Sequence, residues 1–226
     1  AGLTYFTYVV LSRTMTADEY GHFAFGLALA TVLAIAAGVG QPTAILRLWP
    51  QLSVAGDKLA ALKAAQAGSV LTILAGLVIA VTLCLTVFLW VSFFPTTDTA
   101  NHFYGAAFLI LPMALAEYNS SALRAQGSLW SALVPRDILW RIALPAAVLA
   151  LFSLGIVLSG PDALVLSAAL LSGMLVLQFW SAMRRGYVLN PARGVSARYW
   201  KQWGGISRWL LLGALISQPS NLTFAA

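Results

Sequence analysis

The chain has 226 residues, of which 60% are hydrophobic and 9% are charged, with a net charge of +6 and a mean hydropathy of +0.85. A soluble domain carries about 25% charged residues, so a water-soluble globular domain is excluded. Disorder is excluded as well, because it requires low hydrophobicity and high charge. The single cysteine, Cys84, rules out a disulfide within these residues and a multi-cysteine metal site. The composition predicts a polytopic membrane protein.

Apolar segments of membrane-crossing character recur along the whole chain. A helix needs about 20 apolar residues to cross the hydrocarbon core, and continuously apolar segments without alternation favour helices over barrel strands. The segments lie at roughly 1–12, 22–46, 68–93, 103–123, 138–158, 163–183 and 206 to the end. The first and last are interpreted as helices cut by the ends of the chain. The predicted fold class is all-α, a transmembrane bundle of about seven helices.

Basic residues are distributed unevenly among the loops between these segments. Alternate loops hold twelve of the 13 lysines and arginines, and the remaining loops hold only Arg13. Cytoplasmic loops carry the excess of positive charge, so the basic loops are predicted to be cytoplasmic. The first helix then begins on the cytoplasmic side of the membrane.

Polar residues at membrane depth are the strongest functional candidates, because charge there is costly and usually faces a cavity or a partner. Glu117, Ser120, Ser121 and Arg124 are spaced so that they share one face of the fourth helix. Pro112, about one turn earlier, is expected to break that helix. Two interpretations of Glu117 remain open: a proton or cation site in a cavity wall, or a structural ion pair with an arginine of a neighbouring helix.

Arginines also cluster at the predicted cytoplasmic mouth of the bundle, and Gln41–Pro42 is expected to interrupt the second helix there. Asp137 and Arg141 stand at i and i+4, in the order that favours an ion pair. A planar guanidinium suits phosphate, so these arginines would meet an anionic headgroup, although they would equally serve to set the topology. The candidate substrate-binding residues are Arg47, Arg124, Arg136, Arg141, Arg208, Gln41 and Asn119, and Glu117 is the candidate coupling residue.

Three short motifs resemble the polysaccharide-biosynthesis flippases. Residues 11–24, Leu-Ser-Arg-Thr-Met-Thr-Ala-Asp-Glu-Tyr-Gly-His-Phe-Ala, are similar to the first loop of that family, where a Leu-x-Arg turn leads to an acidic pair and Tyr-Gly. Residues 38–47, Gly-Val-Gly-Gln-Pro-Thr-Ala-Ile-Leu-Arg, resemble its Gly-x-x-x-Ala-x-x-Arg helix end. Residues 123–127, Leu-Arg-Ala-Gln-Gly, followed by Arg136 and Arg141, resemble its fourth-to-fifth connection.

The resemblance implies a two-lobe transporter related to the multidrug and toxic-compound extrusion proteins, of which this chain covers about half. Residues 1–205 would be the N-terminal six-helix lobe with a basic cytoplasmic linker, and 206–226 the first helix of the second lobe. Its implied function is alternating-access movement of a polyprenyl-diphosphate-linked oligosaccharide from the inner to the outer leaflet. The expected partners are that substrate and membrane lipids, and the polysaccharide assembly machinery is a further candidate.

Other classes of protein fit the sequence less well. A cation-coupled drug or metabolite exporter of the same superfamily would carry acidic cavity residues rather than a basic mouth. A membrane-embedded glycan ligase or glycosyltransferase would need a carboxylate or histidine constellation near a loop. The sequence has no phosphate-binding glycine loop, metal-ligand spacing or nucleophile elbow, so no catalytic residue, metal, cofactor or nucleic-acid partner is expected.

Overall fold

The computed structural model describes residues 2–93, 100–184 and 209–213, and within them every regular element is helical. The helices are α1 (Gly2–Thr14), α2 (Ala17–Gly38), α3 (Gln41–Val54), α4 (Lys58–Phe93), α5 (Asn101–Ala125), α6 (Leu129–Leu133), α7 (Trp140–Ser153) and α8 (Gly160–Met183). A π-helical turn, Val134–Leu139, joins α6 to α7. The predicted all-α fold is confirmed for these residues.

Four helical runs are long and apolar enough to cross a membrane: Ala17–Val54, Lys58–Phe93, Asn101–Ala125 and Gly160–Met183. They contain the predicted segments at 22–46, 68–93, 103–123 and 163–183, and they indicate a multi-pass membrane protein. The first predicted segment corresponds to α1 and the fifth to α7, which are both shorter. The predicted last segment, and the division of the chain at residue 205, fall mostly outside the described residues.

The predicted interruption before Gln41 is present as a change of helix. α2 ends at Gly38, and Val39 and Gly40 follow with φ angles of 47° and 70°. Two successive left-handed residues cannot continue a right-handed helix, and Pro42 then occupies the first turn of α3, where a missing N–H costs nothing. The chain therefore leaves one helix and starts another within two residues.

Helix α5 is the centre of the bundle, with α2, α3, α4 and α8 packed around it. In its most apolar window 78% of the residues are buried, against 17% for α4, whose outer face presents large apolar side chains to the surroundings. The expected break at Pro112 is absent, because α5 continues through it and Pro112 is buried among the neighbouring helices. Packing against the neighbouring helices offsets the hydrogen bond that Pro112 cannot make.

Tyr118 fixes the contact between α5 and α4. Its ring is fully buried, and its hydroxyl donates to the Ala65 carbonyl at 2.5 Å. Gly68 lies directly under the ring, so that a β-carbon there would approach the ring carbons to 2.9 Å. Only glycine lets the two helices come this close at Tyr118.

The variant Gly68→Ala is therefore expected to destabilise the protein by about 1–3 kcal/mol, the usual cost of overpacking a core. Unfolding in detergent, followed by circular dichroism, would measure it. In a protein that already carries Tyr118→Leu, Gly68→Ala should lower the free energy of unfolding by clearly less, because the ring that the added methyl group would contact is absent. Equal costs in both backgrounds would show that this contact does not limit how closely the helices pack.

Charge separates the two ends of the bundle. The helix directions place every described lysine and arginine except Arg13 at one end, named the basic end here, which carries Arg47, Lys58, Lys63, Arg124, Arg136, Arg141 and Arg184. The opposite end carries Arg13, Asp18, Glu19 and Asp162. This agrees with the alternation of loops inferred from the sequence, while the side of the membrane on which each end lies stays a prediction.

Candidate functional site

A cavity of about 590 Å³ lies among α1, α2, α5, α7 and α8. Apolar and aromatic side chains form most of its wall, including Tyr8 of α1, Tyr20 and Phe23 of α2, and Trp140 of α7. Its charged residues are Arg136, Asp137 and Arg141, all from the segment around the π-helical turn. The cavity thus combines aromatic walls with a small group of charges, as ligand pockets commonly do.

The π-helical turn explains why two charged residues in succession line this cavity. Pro135 has no N–H to donate into the helix, and the amide of Trp140 instead donates to the Pro135 carbonyl, five residues earlier. A π-helical turn inserts one extra residue, which changes the face on which the following side chains lie, and such turns are frequent at functional sites. Here the turn carries Arg136 and Asp137.

Glu117 of α5 forms an ion pair with Arg136. The Arg136 Nη2 lies 2.5 Å from Glu117 Oε2, and the Arg124 Nη2 is farther away, 3.9 Å from Oε1. Arg124 is held by its own helix, with Nη2 donating to Ser121 Oγ at 3.0 Å and Nε to the Ser120 carbonyl. The structure therefore contains the interhelical ion pair that the sequence left as one of two interpretations, and it does not test the cation site.

Arg141 joins α7 to α1. Its Nη1 donates to Thr4 Oγ1, and Thr7 Oγ1 donates to the Arg141 carbonyl at 3.3 Å. The predicted pair between Arg141 and Asp137 does not form. Both ion pairs in the described part of the chain involve Glu117. The Arg141 guanidinium is instead hydrogen-bonded to Thr4 of α1, away from Asp137.

A buried polar network lies beside this ion pair, where α5 meets α6 and α8. Ser120 Oγ donates to the Ala132 carbonyl at 2.6 Å, and Gln178 Nε2 lies 3.2 Å from both Ser120 Oγ and that carbonyl. This network ties α5 to α6 and α8. Ser120 lies on the face of α5 that also carries Glu117, Ser121 and Arg124, and its hydroxyl is used in packing against α6 and α8.

The predicted ring of five arginines is brought together only in part. Arg136 and Arg141 line the cavity, Arg124 approaches Glu117, and Arg47 is exposed on α3. Arg208 lies outside the described residues. Their proposed roles in binding stay predictions.

The two predicted amides are both buried away from the cavity wall. Gln41 is fully buried at the start of α3, and Asn119 is 3% exposed on α5. Asn119 Nδ2 has no hydrogen-bond partner among the described residues. Neither amide is among the residues that line the cavity.

Sequence reasoning missed several residues of the cavity. Tyr8 and Thr4 line it without any motif that marks them, Tyr20 was quoted only as part of the first-loop motif, and Asp137 was interpreted only as the partner of Arg141. The signal that could have found Asp137 is the neighbouring Pro135, since a proline disturbs the helix around it and changes the face on which the residues after it lie relative to those before it. The tyrosines carry no such signal, because aromatic residues are common throughout membrane helices.

The described residues define an all-helical, multi-pass membrane protein with a largely apolar cavity among its helices, into which three charged residues face. No protein-family model, curated protein or solved structure matched this chain. The resemblance to the polysaccharide-biosynthesis flippases therefore rests on the three motifs quoted above and stays a prediction.

Proposed function

We propose that this chain forms one lobe of a transporter that moves a polyprenyl-diphosphate-linked oligosaccharide across a bacterial inner membrane by alternating access. The observation that carries the proposal is the cavity, in which Arg136 and Arg141 lie among aromatic and apolar walls. Ionised side chains inside a membrane bundle are costly and usually serve an ion or substrate path. Two guanidinium groups at one cavity fit the two phosphates of such a headgroup.

The aromatic part of the cavity wall is suited to bind the extended, uncharged glycan of the ligand. Tyr8, Tyr20 and Trp140 combine apolar ring faces with polar tips, which suits glycan hydroxyls as well as apolar sugar faces. The polyprenyl tail would stay in the bilayer beside the apolar outer faces of the helices. The basic end would face the cytoplasm by the positive-inside rule, so that the headgroup enters where the arginines lie.

Export complementation tests this proposal. The full-length parent gene is introduced into a host that accumulates undecaprenyl-diphosphate glycan in the inner leaflet, and surface polysaccharide is measured. Restoration of surface polysaccharide is expected. A failure to restore it with several different glycans, in cells that contain the protein in the membrane, would contradict the proposal.

One observation favours a second candidate, a cation-coupled exporter of drugs or metabolites. Asp137 lines the cavity and forms no ion pair with another described residue, so a negative charge is present there as well. Glu117 remains the candidate for coupling to a cation gradient in either case. Resistance of the same host to cationic dyes, without restored polysaccharide, would favour the exporter.

A further inference from the structure

Arg136 lies between the cavity and Glu117 and contacts both. It lines the cavity and at the same time holds the carboxylate of Glu117 at 2.5 Å, whereas Glu117 itself is not part of the cavity wall. The two side chains are 31% and 40% exposed, so the ion pair is accessible rather than sealed in the core. A solvent-accessible ion pair of this kind is weak and exchangeable.

The other arginine near Glu117 is hydrogen-bonded within its own helix. Arg124 donates to Ser121 Oγ and to the Ser120 carbonyl, and its Nη2 is 3.9 Å from Glu117, beyond hydrogen-bonding distance. Among the residues that the structure describes, Arg136 is thus the ion-pair partner within hydrogen-bonding distance of Glu117. A negative charge that arrives at Arg136 from the cavity would meet the carboxylate on the same guanidinium.

We propose that Glu117 is an internal competitor for Arg136, which a phosphate-bearing ligand must displace to bind in the cavity. This inference rests on the proposed function and adds to it how the site is regulated. Two like charges at one guanidinium repel each other. The ion pair therefore lowers the affinity of the empty cavity for anions and restores a neutral pair when the ligand leaves.

The position of Arg136 on the π-helical turn fits this exchange. An irregular turn between α6 and α7 is held by fewer regular hydrogen bonds than a helix interior, so its side chains can change partner without moving a whole helix. Arg141, the second cavity arginine, is instead tied to Thr4 and has no carboxylate partner among the described residues. The exchange is thus specific to one of the two arginines.

Direct binding to the purified full chain in detergent tests the proposal. Inorganic pyrophosphate is titrated by calorimetry against the natural protein, Glu117→Gln, Arg136→Gln and the double variant. Glu117→Gln is expected to bind pyrophosphate about fivefold to tenfold more tightly, and Arg136→Gln at least about tenfold more weakly. In the double variant the gain from Glu117→Gln should disappear, because the residue that both anions compete for is gone.

Asp18→Asn is the matched control. It removes the same charge from an exposed side chain at the opposite end of the bundle, and its affinity for pyrophosphate should stay within about twofold of the natural protein. Equal tightening in Asp18→Asn and Glu117→Gln would reduce the effect to net charge and overturn the proposal. If Glu117→Gln does not fold, Glu117→Asp replaces it, and the shorter carboxylate should give a smaller gain in the same direction.

Failure of this inference and failure of the proposed function give different results. Unchanged or weaker binding of both pyrophosphate and farnesyl diphosphate in Glu117→Gln, together with weaker binding in Arg136→Gln, would overturn the competition and leave the cavity as an anion site. Unchanged binding in Arg136→Gln would overturn both. Farnesyl diphosphate serves as the second probe: a Glu117→Gln gain for both probes supports a site that reads phosphate from either source, and a gain for farnesyl diphosphate alone supports a lipid headgroup.

Discussion

Gly160→Ala is expected to destabilise this protein by about 2–3 kcal/mol, which would be the largest effect of adding a single methyl group in the described bundle. The first residue of α8 lies against the first turn of α2. A β-carbon at Gly160 would overlap the Glu19 carbonyl and lie 3.0 Å from the Phe23 amide nitrogen. These are backbone atoms, so no side-chain rotation can relieve the clash, and α8 would have to move away from α2.

The same docking contact would lose a hydrogen bond as α8 moves. Glu19 Oε2 accepts from the Gly160 amide at 2.5 Å, which also places a carboxylate at the positive end of the α8 dipole. Gly173→Ala is the control on the same helix, since a β-carbon there meets nothing within 4 Å, and it should be neutral or slightly stabilising. Thermal unfolding of the detergent-solubilised variants measures both, and equal stabilities would show that α8 does not depend on this contact.

Removal of both cavity arginines should reduce export of the lipid-linked glycan at least about tenfold. In Arg136→Gln/Arg141→Gln the phosphates would enter the cavity without a fixed positive charge, and each charge-assisted hydrogen bond to phosphate contributes about 1.5–3 kcal/mol. Surface polysaccharide in the complemented host is the measurement, with membrane insertion checked by immunoblot of the membrane fraction. The conservative Arg136→Lys should retain part of the activity, because it keeps the charge but loses the planar fork.

Lys58→Gln is the control variant for Arg136→Gln/Arg141→Gln. Lys58 is exposed at the basic end, at the start of α4, and it is not among the residues that line the cavity. Export by this variant should match the natural protein. A loss of export in Lys58→Gln as large as in the arginine pair would show that only the total charge of the basic end matters, through topology.

The long apolar elements of this fold could be predicted because each contains an apolar run of about 20 residues with at most one charged side chain. The ends of those helices could not, since α4 begins at Lys58, ten residues before its predicted segment, and α3 continues beyond Arg47. Charged and polar residues continue these helices beyond the apolar run that marks the crossing. Hydropathy alone therefore recognises the crossing portion and misses its extension.

The candidate site was predictable in its residue types and not in its geometry. Charge at membrane depth pointed to Glu117, Arg136 and Arg141, and the structure places all three near the cavity or its ion pair. The pairing of Asp137 with Arg141 was wrong because the Arg141 guanidinium bonds to Thr4 of α1. Spacing within one helix cannot show that a side chain prefers a partner on another helix.

The attachment of α1 bears on the order in which the chain assembles as it is made. α1 packs chiefly on α7, and its hydrogen bonds to Arg141 join residues more than 130 positions apart in sequence. The nascent α1 therefore lies in the bilayer without its principal partner until α7 has been synthesised and inserted. Because α1 supplies one wall of the cavity, the cavity is completed late in biogenesis. In ribosome-bound chains that end before residue 141, α1 should therefore be accessible to crosslinking with lipid or with the insertion machinery.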